Sequence, residues 1–588
     1  MKQLILLITA YFIATSANAT EPAKPNIIVF YSDDHGYADL GVQDSVADIR
    51  TPHLDALARS GVVAKNGYST APQCVPSRAG LLVGKFQGRF NLDSNGSALD
   101  GFNKETTIAT RLQNAGYVTA QFGKWHLGAT DRIPSHGFKH VFSQNAQRPF
   151  SANITLDGQD RPMSNLSPEM YHIDGCSRAA ASVIERYKDS PFFLYVAYRA
   201  PHTPLDAPKS YTDCFPGEMP ERRRQALAMI SAMDDGVGLI TSTLKQHGLA
   251  ERTLIFFIGD NGAPLKIHKI DSPLNGDAGG WDGSLNDPLN GEKGMLAEGG
   301  MHVPFVIAWP GTIPSGQTYD HPVSALDVAA TAADLVNVDQ KPDDFDGVNL
   351  IPYLKGDIQT PPHEALYWRW TAQSAIRMGE WKLLRGGERE YLYNLQRDVE
   401  EKHNLALKHP EIAERLRMRL KTWTAELNPP GLALAPMAPT WNDYFDHYLE
   451  GKKVPVPTSN QSPLSDRYQG WIARNATLAE NEGVLEVIPE KGAKGKLPFI
   501  TQAQLKLKTP VIAKVEIKAS TAGQARFAWR TESQKDFLPE NTVAFDVTTS
   551  NEWQSYSVAL SATDTIIHVR LHLPQGTSWV RDIQFESK

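Results

Sequence analysis

The sequence predicts an α/β fold with a mostly parallel central sheet covered by helices on both faces, followed by a small antiparallel C-terminal subdomain and an appended β-sandwich. Three observations predict it: continuous apolar runs typical of strands buried on both faces, segments of helical periodicity between them, and short alternating runs after residue 360. At 588 residues the chain is too long for a single core, so we expect at least two domains.

The central sheet is expected within residues 20–360. Its first strand is the apolar run Pro25 to Tyr31, and a helix with one apolar side follows over Pro52–Arg59. The alternation then repeats, with helices and strands near Thr107–Asn114, Tyr117–Phe122, Cys176–Tyr187, Phe192–Tyr198, Arg222–His247 and Thr253–Ile258. Helices that alternate with buried strands are typical of a parallel sheet.

Residues 361–428 have a different pattern, which predicts a small antiparallel subdomain. Alternating runs are separated by turn residues, and a helix near Pro410–Leu427 closes the segment. The predicted strands lie within Leu366–Trp370, Ser374–Leu384 and Glu390–Leu395, with turns at Gly379-Glu380 and Gly386-Gly387.

Two further segments complete the chain. Residues 429–467 are rich in proline and predict a linker, part of which is expected to pack through Trp441, Tyr444, Phe445 and Tyr448. Residues 468–588 lack helical periodicity and predict an antiparallel β-sandwich. The sandwich either packs against the preceding α/β domain, which we favour, or binds carbohydrate, with Trp529, Trp553 or Trp579 as stacking platforms.

The N-terminus predicts export. Residues 1–19 combine Lys2, a short apolar run and the small-residue cleavage site Ala17-Asn18-Ala19, which together indicate a signal peptide and a periplasmic or secreted protein. No other apolar run is long enough to span a membrane. Cys176 and Cys214 are either a disulfide pair or two free thiols. The net charge of −7 gives no electrostatic footprint for nucleic acid.

Polar residues follow three of the predicted strands directly. The first set contains oxygen ligands suited to a hard divalent cation: Asp33, Asp34, Asp260 and Asn261. The second set is basic and consists of Lys124 and His126. Because ligands gather at the carboxyl ends of parallel strands, these residues predict one site at one edge of the sheet. Taken singly, each acidic segment could equally be a solvated turn.

The segment Cys74-Val75-Pro76-Ser77-Arg78 resembles the signature of the formylglycine-dependent (type I) sulfatases of the alkaline-phosphatase-like superfamily. Four other segments resemble that family in the expected chain order: Tyr31 to Gly36, Gly123 to Gly128, Gly259 to Gly262, and Lys293 with Glu298-Gly299-Gly300. The resemblance covers residues 25 to 425, and it departs from the common family pattern at Val83 and His302.

This resemblance implies that Cys74 is oxidised to formylglycine by a maturation enzyme and that its hydrated aldehyde is the nucleophile and a metal ligand. It implies one calcium ion, held with Asp33, Asp34, Asp260 and Asn261. It also implies roles for five further residues in orienting the nucleophile, binding sulfate and moving protons: Arg78, Lys124, His126, His202 and Lys293.

We expect the substrate to be a sulfated oligo- or polysaccharide, with algal galactans such as carrageenan the sharper hypothesis, because residues 68–72 and 84–90 resemble polysaccharide sulfatases. The long polar loop between Asn261 and Lys293 is expected to form a pocket wall, with Trp281 placed to stack on a sugar and with local positive charge from Lys266, His268 and Lys269. The alternatives are a phosphatase or phosphonate monoester hydrolase of the same superfamily, and an inactive carbohydrate-binding protein.

Overall fold

A computed structural model of the chain describes residues 24–144, 153–156, 159–162, 171–203, 205–265, 267, 281–336, 344–432, 439–454, 471–481, 483–489, 497–532, 534 and 537–587. The chain divides into two compact units, Met1–Pro457 and Thr458–Lys588. The predicted signal peptide and the residues Lys266, His268 and Lys269 lie outside the described residues. Within the described part, no helix combines the length and apolar character needed to cross a membrane.

The first unit contains sixteen strands among the described residues. They are β1 Asn26–Asp33, β2 Val62–Ala64, β3 Gly67–Tyr68, β4 Val118–Lys124, β5 His140–Gln144, β6 Asn153–Leu156, β7 Gln159–Pro162, β8 Phe192–Pro201, β9 Thr253–Gly259, β10 Phe305–Ala308, β11 Gln317–Tyr319, β12 Val323–Ser324, β13 Leu366–Trp370, β14 Gln373–Met378, β15 Trp381–Gly386 and β16 Arg389–Asn394.

The helices of this unit alternate with its strands, as the sequence predicts. They are α1 Pro52–Arg59, α2 Cys74–Val83, α3 Ile108–Asn114, α4 His172–Arg186, α5 Lys209–Thr212, α6 Glu221–Gln246, α7 Glu298–Met301, α8 Asp327–Leu335, α9 Ile351–Leu354, α10 Pro410–Thr424 and α11 Pro439–Tyr444, which runs into a π-helical turn at Phe445–Leu449.

The central sheet has the strand order β11-β2-β10-β9-β1-β8-β4-β5-β6-β7. Its middle strands β9, β1, β8, β4 and β5 are parallel, whereas β10 and the outer β6 and β7 run antiparallel to their neighbours. Every residue of β1 is buried, and its side chains alternate between two cores. One core contains α2, α3 and α8, and the other contains α1, α4 and α6. The predicted α/β class with both faces covered is confirmed.

The C-terminal subdomain is the antiparallel meander β13-β14-β15-β16. The predicted run Ser374–Leu384 forms two strands, because Gly379 adopts a positive φ of 59° in the turn between them. One face of the meander packs against α10. The other face packs against Tyr68 of β3, against Met301 of α7 and Met295 before it, and against α11. Part of the predicted linker therefore belongs to the first unit.

The second unit is an antiparallel β-sandwich of two five-stranded sheets. Its strands are β17 Ile472–Arg474, β18 Ala476–Asn481, β19 Val484–Pro489, β20 Phe499–Leu507, β21 Val511–Ala519, β22 Gly523–Thr531, β23 Thr542–Val547, β24 Gln554–Leu560, β25 Ile566–His572 and β26 Ser578–Ser587. The sheets have the orders β17-β20-β25-β22-β23 and β18-β19-β26-β21-β24, and one apolar core lies between them. Trp529 lies in that core with 2% exposure, so its prediction as a stacking platform is wrong.

Candidate active site

The carboxyl ends of the parallel strands bring the predicted site residues together. Asp33 is the last residue of β1, Lys124 is the last residue of β4, and Asp260 follows β9. Cys74 is the first residue of α2 and is fully buried. Its Sγ lies 3.4 Å from Asp33 Oδ1 and 3.9 Å from Asp34 Oδ1. Four separate segments of the chain thus meet at one point.

The turn that carries Cys74 is fixed by side chains from two other segments. The backbone N–H of Val75 donates to Asn95 Oδ1 at 3.0 Å, which satisfies one of the free N–H groups at the start of α2. Gln73 Oε1 accepts from the Asn95 N–H at 3.0 Å and from Trp370 Nε1 at 3.2 Å. The position of Cys74 therefore depends on β13 of the C-terminal subdomain, which supplies Trp370.

Three cationic side chains surround the three carboxylates. Arg78, one helical turn after Cys74, donates to Asp260 Oδ2 at 2.7 Å and lies 3.3 Å from Asp33 Oδ1. Lys124 Nζ lies 2.5 Å from Asp33 Oδ2. The third cation is Lys293, whose Nζ lies 2.7 Å from the second oxygen of Asp34. All of these groups are buried, so each charge is paired in a medium of low polarity.

The oxygen atoms of this cluster fit a divalent cation. The ligand atoms of Asp33, Asp34, Cys74 and His202 all lie within 4.8 Å of one another. Asn261 Nδ2 donates to Asp34 Oδ1 at 2.7 Å, and Asn261 Oδ1 is buried without a hydrogen-bond partner among the described residues. The amide nitrogen of Asn261 faces Asp34, so the side-chain amide would have to turn for its oxygen to join the carboxylates as a ligand. Carboxylate and amide oxygens are the ligands that calcium or magnesium prefers.

Two histidines lie at the rim of the cluster. His202 Nδ1 donates to the carbonyl of Thr203 at 2.6 Å, which leaves Nε2 facing Asp34 Oδ2 at 3.5 Å. His126 follows Lys124 and has a positive φ of 61°, and Asp34 has a φ of 57°. His126 and Asp34 therefore adopt the left-handed backbone conformation that non-glycine residues rarely use, as is common at functional sites.

The buried charges determine the protonation of the cluster. Burial raises the pKa of Asp260 to about 7, and the neighbouring charge of Asp33 acts in the same direction. Burial and the charge of Lys124 lower the pKa of His126 to about 2 and that of His202 to about 4, so both imidazoles are neutral. Burial raises the pKa of the Cys74 thiol well above its usual range, so an unmodified Cys74 stays protonated.

The loop that carries Lys293 is held by a residue that the sequence did not indicate. Gln373 of β14 is fully buried, accepts from the N–H of Leu296 at 3.0 Å and donates to the carbonyl of Gly294 at 3.0 Å. The N–H of Gly294 in turn donates to the carbonyl of Pro72 at 2.9 Å. One glutamine thus links the segments that bear Lys293 and the nucleophile turn.

The strand-end turn that carries His202 is also supported from outside the predicted motifs. Arg199 Nη1 donates to the carbonyl of His202 at 3.1 Å, and Arg199 Nη2 lies 2.6 Å from Asp206 Oδ2. Asp282, from the long loop, accepts from the N–H of Thr203 at 3.2 Å. These partners could not be predicted from the sequence, because none of them belongs to the motifs around the nucleophile.

Several other predicted residues take structural positions. Trp281 is partly buried, and its Nε1 donates to the carbonyl of Ser284 at 2.7 Å. His302, a departure from the family pattern, lies 3.0 Å from Glu298 Oε2 and 2.7 Å from the carbonyl of Lys65. The second departure, Val83, lies in the core. Cys176 is buried, Cys214 is exposed and both are free thiols, so the disulfide alternative is wrong.

Comparisons with known proteins agree with this arrangement. A family model described as Sulfatase matches residues 25–338, and one described as N-sulphoglucosamine sulphohydrolase, C-terminal, matches residues 291–426. The uncharacterized sulfatase YdeN of Escherichia coli (strain K12) is 32% identical over 410 residues, covering 60% of this chain and 70% of that protein. N-acetylgalactosamine-6-sulfatase of Mus musculus is 30% identical over 417 residues, covering 65% of this chain and 75% of that protein.

Solved structures extend the likeness to the fold. The crystal structure of Ps i-CgsB has a TM-score of 0.61 at 29% identity and covers 72% of this chain and 97% of its own. The structure of that protein with k-i-k-neocarrahexaose has a TM-score of 0.60. A phosphonate monoester hydrolase of Silicibacter pomeroyi shares the fold alone, with a TM-score of 0.51 at 18% identity. Because the sulfatase model spans more than half of the sequence, the chain belongs to the sulfatase family and is a sulfuric ester hydrolase.

Proposed function

We propose that this sulfatase removes sulfate from a sulfated algal galactan or its oligosaccharides, using formylglycine at position 74 and one calcium ion. The observation that carries the proposal is the placement of Cys74 within 3.4 Å of Asp33, beside two further carboxylates and the orphaned oxygen of Asn261. When bound there, the cation supplies charge neutralisation for the sulfate oxygens and lowers the pKa of the nucleophilic hydroxyl.

The chain's own residues account for the rest of the reaction. Lys124 pairs with Asp33 and Lys293 pairs with Asp34, and both lysines bind the sulfate oxygens as they turn from their carboxylates to the substrate. Arg78 holds Asp260 and the end of β4 in place around the nucleophile. As formylglycine, residue 74 presents a hydrated aldehyde, and one of its hydroxyls attacks sulfur while the bond from sulfur to the sugar oxygen breaks. Loss of the proton of the second hydroxyl then expels sulfate and restores the aldehyde, which a thiol cannot do.

Neutral histidines are suited to the proton transfers. His126 follows Lys124 and has a buried Nδ1 without a hydrogen-bond partner among the described residues, so it can accept a proton from the nucleophile. The imidazole of His202 donates through Nδ1 to the Thr203 carbonyl, so its Nε2 is unprotonated and has to take up a proton from water before it can donate that proton to the leaving oxygen of the sugar. Two imidazoles with separate orientations divide the roles of base and acid.

The choice of substrate rests on similarity and on location. The chain is 29% identical to Ps i-CgsB, a protein that has been crystallised with a neocarrahexaose. From the signal peptide expected over residues 1–19 we propose that the enzyme works in the periplasm or outside the cell, where it would meet a polysaccharide. We therefore favour carrageenan over glycosaminoglycans, although N-acetylgalactosamine-6-sulfatases are also relatives.

The test is sulfate release from defined oligosaccharides. The chain, co-expressed with a formylglycine-generating enzyme, is incubated with κ- and ι-neocarra-oligosaccharides and with sulfated N-acetylgalactosamine, and released sulfate is measured. Mass analysis of the tryptic peptide 66–78 reports whether position 74 carries the aldehyde. Cys74→Ala is the matched control, because it removes the nucleophile from the same fold.

Three results would contradict the proposal. Sulfate release that survives Cys74→Ala would remove the assigned nucleophile. Turnover of glycosaminoglycan sulfates alone would replace the substrate class. Faster hydrolysis of a phenylphosphonate than of any sulfate ester by the modified enzyme would favour the phosphonate hydrolase alternative, which shares only the fold.

A further inference from the structure

We propose that one outer face of the C-terminal sandwich is a binding site for a sulfated polysaccharide, separate from the active site. The face belongs to the sheet β17-β20-β25-β22-β23. Four arginines and two histidines project to this side, and we call the surface the arginine face: Arg474, Arg526, Arg530, His568, Arg570 and His572. Of the arginines, Arg530 is buried and donates to the carbonyl of Gln534. Their identity as a single surface follows from the strand register.

The register places these residues on one side of the sheet. Arg474 pairs with Phe499, which pairs with His572, and His572 pairs with Arg526, so one row crosses four strands. In the adjacent rows Arg570 pairs with Ala528, and His568 pairs with Arg530. The side chains between these rows point to the other side, where Ile500, Phe527, Trp529, Val569 and Leu571 form the sandwich core.

The positive charge of this face comes chiefly from Arg474 and Arg526, which form no ion pair with an acid among the described residues. The strands β20, β22 and β25 contain no aspartate or glutamate. Arg474 and Arg526 are exposed. Burial lowers the pKa of His572 to about 4, and the positive charges of Arg526 and Arg570 contribute to this shift. A surface of this kind attracts a polyanion although the whole chain has a net charge of −7.

Aromatic rings on the same face hold the basic groups in position. The Arg570 guanidinium lies 3.7 Å from the ring centroid of Phe537 and 5.3 Å from that of Phe499. Phe499 also contacts the His572 ring at 4.7 Å. Guanidinium groups stacked on rings keep planar donor edges suited to sulfate oxygens. The row from Arg474 to Arg526 crosses three strand spacings of about 4.8 Å, or about 14 Å, which is the footprint of a chain rather than of one sulfate.

The outer face of the opposite sheet likewise carries cations beside aromatic rings, but most of its cations are paired with acids. There Lys514 lies 2.7 Å from Glu586, and Arg581 lies 2.7 Å from Glu516. Lys518 lies 5.7 Å from the Trp553 ring and 5.9 Å from the Trp579 ring. Because its cations are largely paired with acids, this face is the matched control for the arginine face.

The choice of a sulfated glycan, rather than nucleic acid or an anionic membrane, rests on the proposed function of the catalytic unit. A sulfatase joined to a module that holds its own polymeric substrate works at a raised local concentration of sulfate esters. The site itself can be tested without catalysis, so the two proposals fail separately.

The experiment measures binding of the full chain, inactivated by Cys74→Ala, to immobilised ι-carrageenan over a series of salt concentrations. Agarose serves as the unsulfated galactan, single-stranded DNA as a second polyanion, and phosphatidylserine vesicles as an anionic membrane. Arg474→Glu/Arg526→Glu is compared with Lys514→Glu/Lys518→Glu, which makes the same change in charge on the opposite face. Exposed substitutions of this kind alter folding little, and the unfolding temperature of each variant checks this.

We expect Arg474→Glu/Arg526→Glu to weaken carrageenan binding by about tenfold or more and to flatten its salt dependence, with the control variant close to the parent chain. In the active enzyme the same variant should raise KM for the polymer and leave KM for a short oligosaccharide unchanged. Equal losses in both variants, no loss in either, or equal binding to agarose would overturn the proposal. Tighter binding to DNA or to vesicles than to carrageenan at the same salt would overturn the choice of ligand.

These outcomes separate the two proposals. Carrageenan binding that depends on the arginine face, in an enzyme that desulfates no galactan, would contradict the proposed function and leave the site standing. Galactan desulfation by a chain whose polymer binding does not change when these arginines are replaced would contradict the proposed binding site and leave the proposed function standing.

Discussion

A single lysine holds two buried carboxylates where the C-terminal subdomain meets α7. Lys382 Nζ lies 2.7 Å from Glu298 Oε1 and 3.0 Å from Glu401 Oε1, and all three side chains are buried. Glu298 Oε2 also accepts from the Tyr68 hydroxyl at 2.7 Å and lies 3.0 Å from His302 Nδ1. This cluster lies directly after the loop of Lys293, so its integrity bears on the active site as well as on stability.

Replacing Lys382 with methionine should destabilise the first unit strongly. The change keeps most of the side-chain volume but leaves two carboxylates facing each other without their common cation. Removal of one partner from a buried ion pair costs about 3–5 kcal/mol. With a urea dependence of about 3 kcal/mol per molar, the unfolding midpoint should fall by about 1–2 M. Urea unfolding followed by near-ultraviolet circular dichroism measures this shift.

The loss should depend on pH in a defined direction. Burial raises the pKa of Glu401 from 4.5 to about 7, with the charge of Glu298 adding to the effect. Although burial opposes it, Lys382 holds the pKa of Glu298 well below its usual range. Because the folded state binds the Glu401 proton more tightly than the unfolded state does, stability falls as pH rises from about 4.5 to 7. Without Lys382 both pKa values rise, so the deficit of Lys382→Met should be largest above pH 7 and smaller near pH 5.

A second substitution tests the cause. Lys382→Met/Glu401→Gln removes one of the two stranded charges, so the double variant should recover part of the lost midpoint at pH 8 and lose most of the pH dependence. A midpoint for Lys382→Met within 0.3 M, roughly the error of such measurements, of the parent value at pH 8 would refute the reasoning. A double variant less stable than Lys382→Met would refute it as well.

Three further predictions concern the active site. Arg78→Lys loses the two-pronged contact with Asp260 and the Lys124 carbonyl, so kcat on an aryl sulfate should fall about 100-fold, and a loss below about threefold would contradict the role. Chelation with EGTA should lower the unfolding temperature, and calcium at about 100 times its Kd should restore about 2.7 kcal/mol; recovery with magnesium but not calcium would change the metal. Arg199→Gln removes the hydrogen bond to the His202 carbonyl, so kcat/KM on a sugar sulfate should fall about tenfold. On nitrophenyl sulfate, whose leaving group needs no proton, kcat/KM should change little. Equal losses on the two substrates would indicate a purely structural role for Arg199.

The ends of buried strands were the part of the site that the sequence predicted well. Residues 27–31 of β1 are apolar and buried on both faces, so the first carboxylates of this segment, Asp33 and Asp34, must lie at the end of the strand. The same logic places Lys124 at the end of β4 and Asp260 directly after β9. Parallel strands share one carboxyl edge, so three local patterns were enough to predict one site.

The partners that hold the site in place could not be predicted in this way. Trp370 contacts Gln73 across 297 residues of sequence, and Gln373 contacts Gly294 across 79. The alternating pattern around Trp370 and Gln373 does not indicate which residues these side chains contact, because the position of the meander relative to the sheet is determined only by packing. The prediction of Trp529 as a stacking platform failed for a related reason. The alternation of a strand does not show which of its two faces belongs to the core until the partner sheet is known.

These long-range contacts make the active site a product of two parts of the first unit. The catalytic sheet supplies the metal-binding carboxylates, but the loop of Lys293 is held between Gln373 and the nucleophile turn, and Trp370 caps that same turn. The two family models overlap over residues 291–338, so Lys293 lies within both the sulfatase model and the C-terminal model. A boundary drawn at residue 360 would separate Gln373 and Trp370 from the groups that they position. The meander is thus part of the catalytic machinery through its hydrogen bonds, although it contributes none of the carboxylates or histidines of the site.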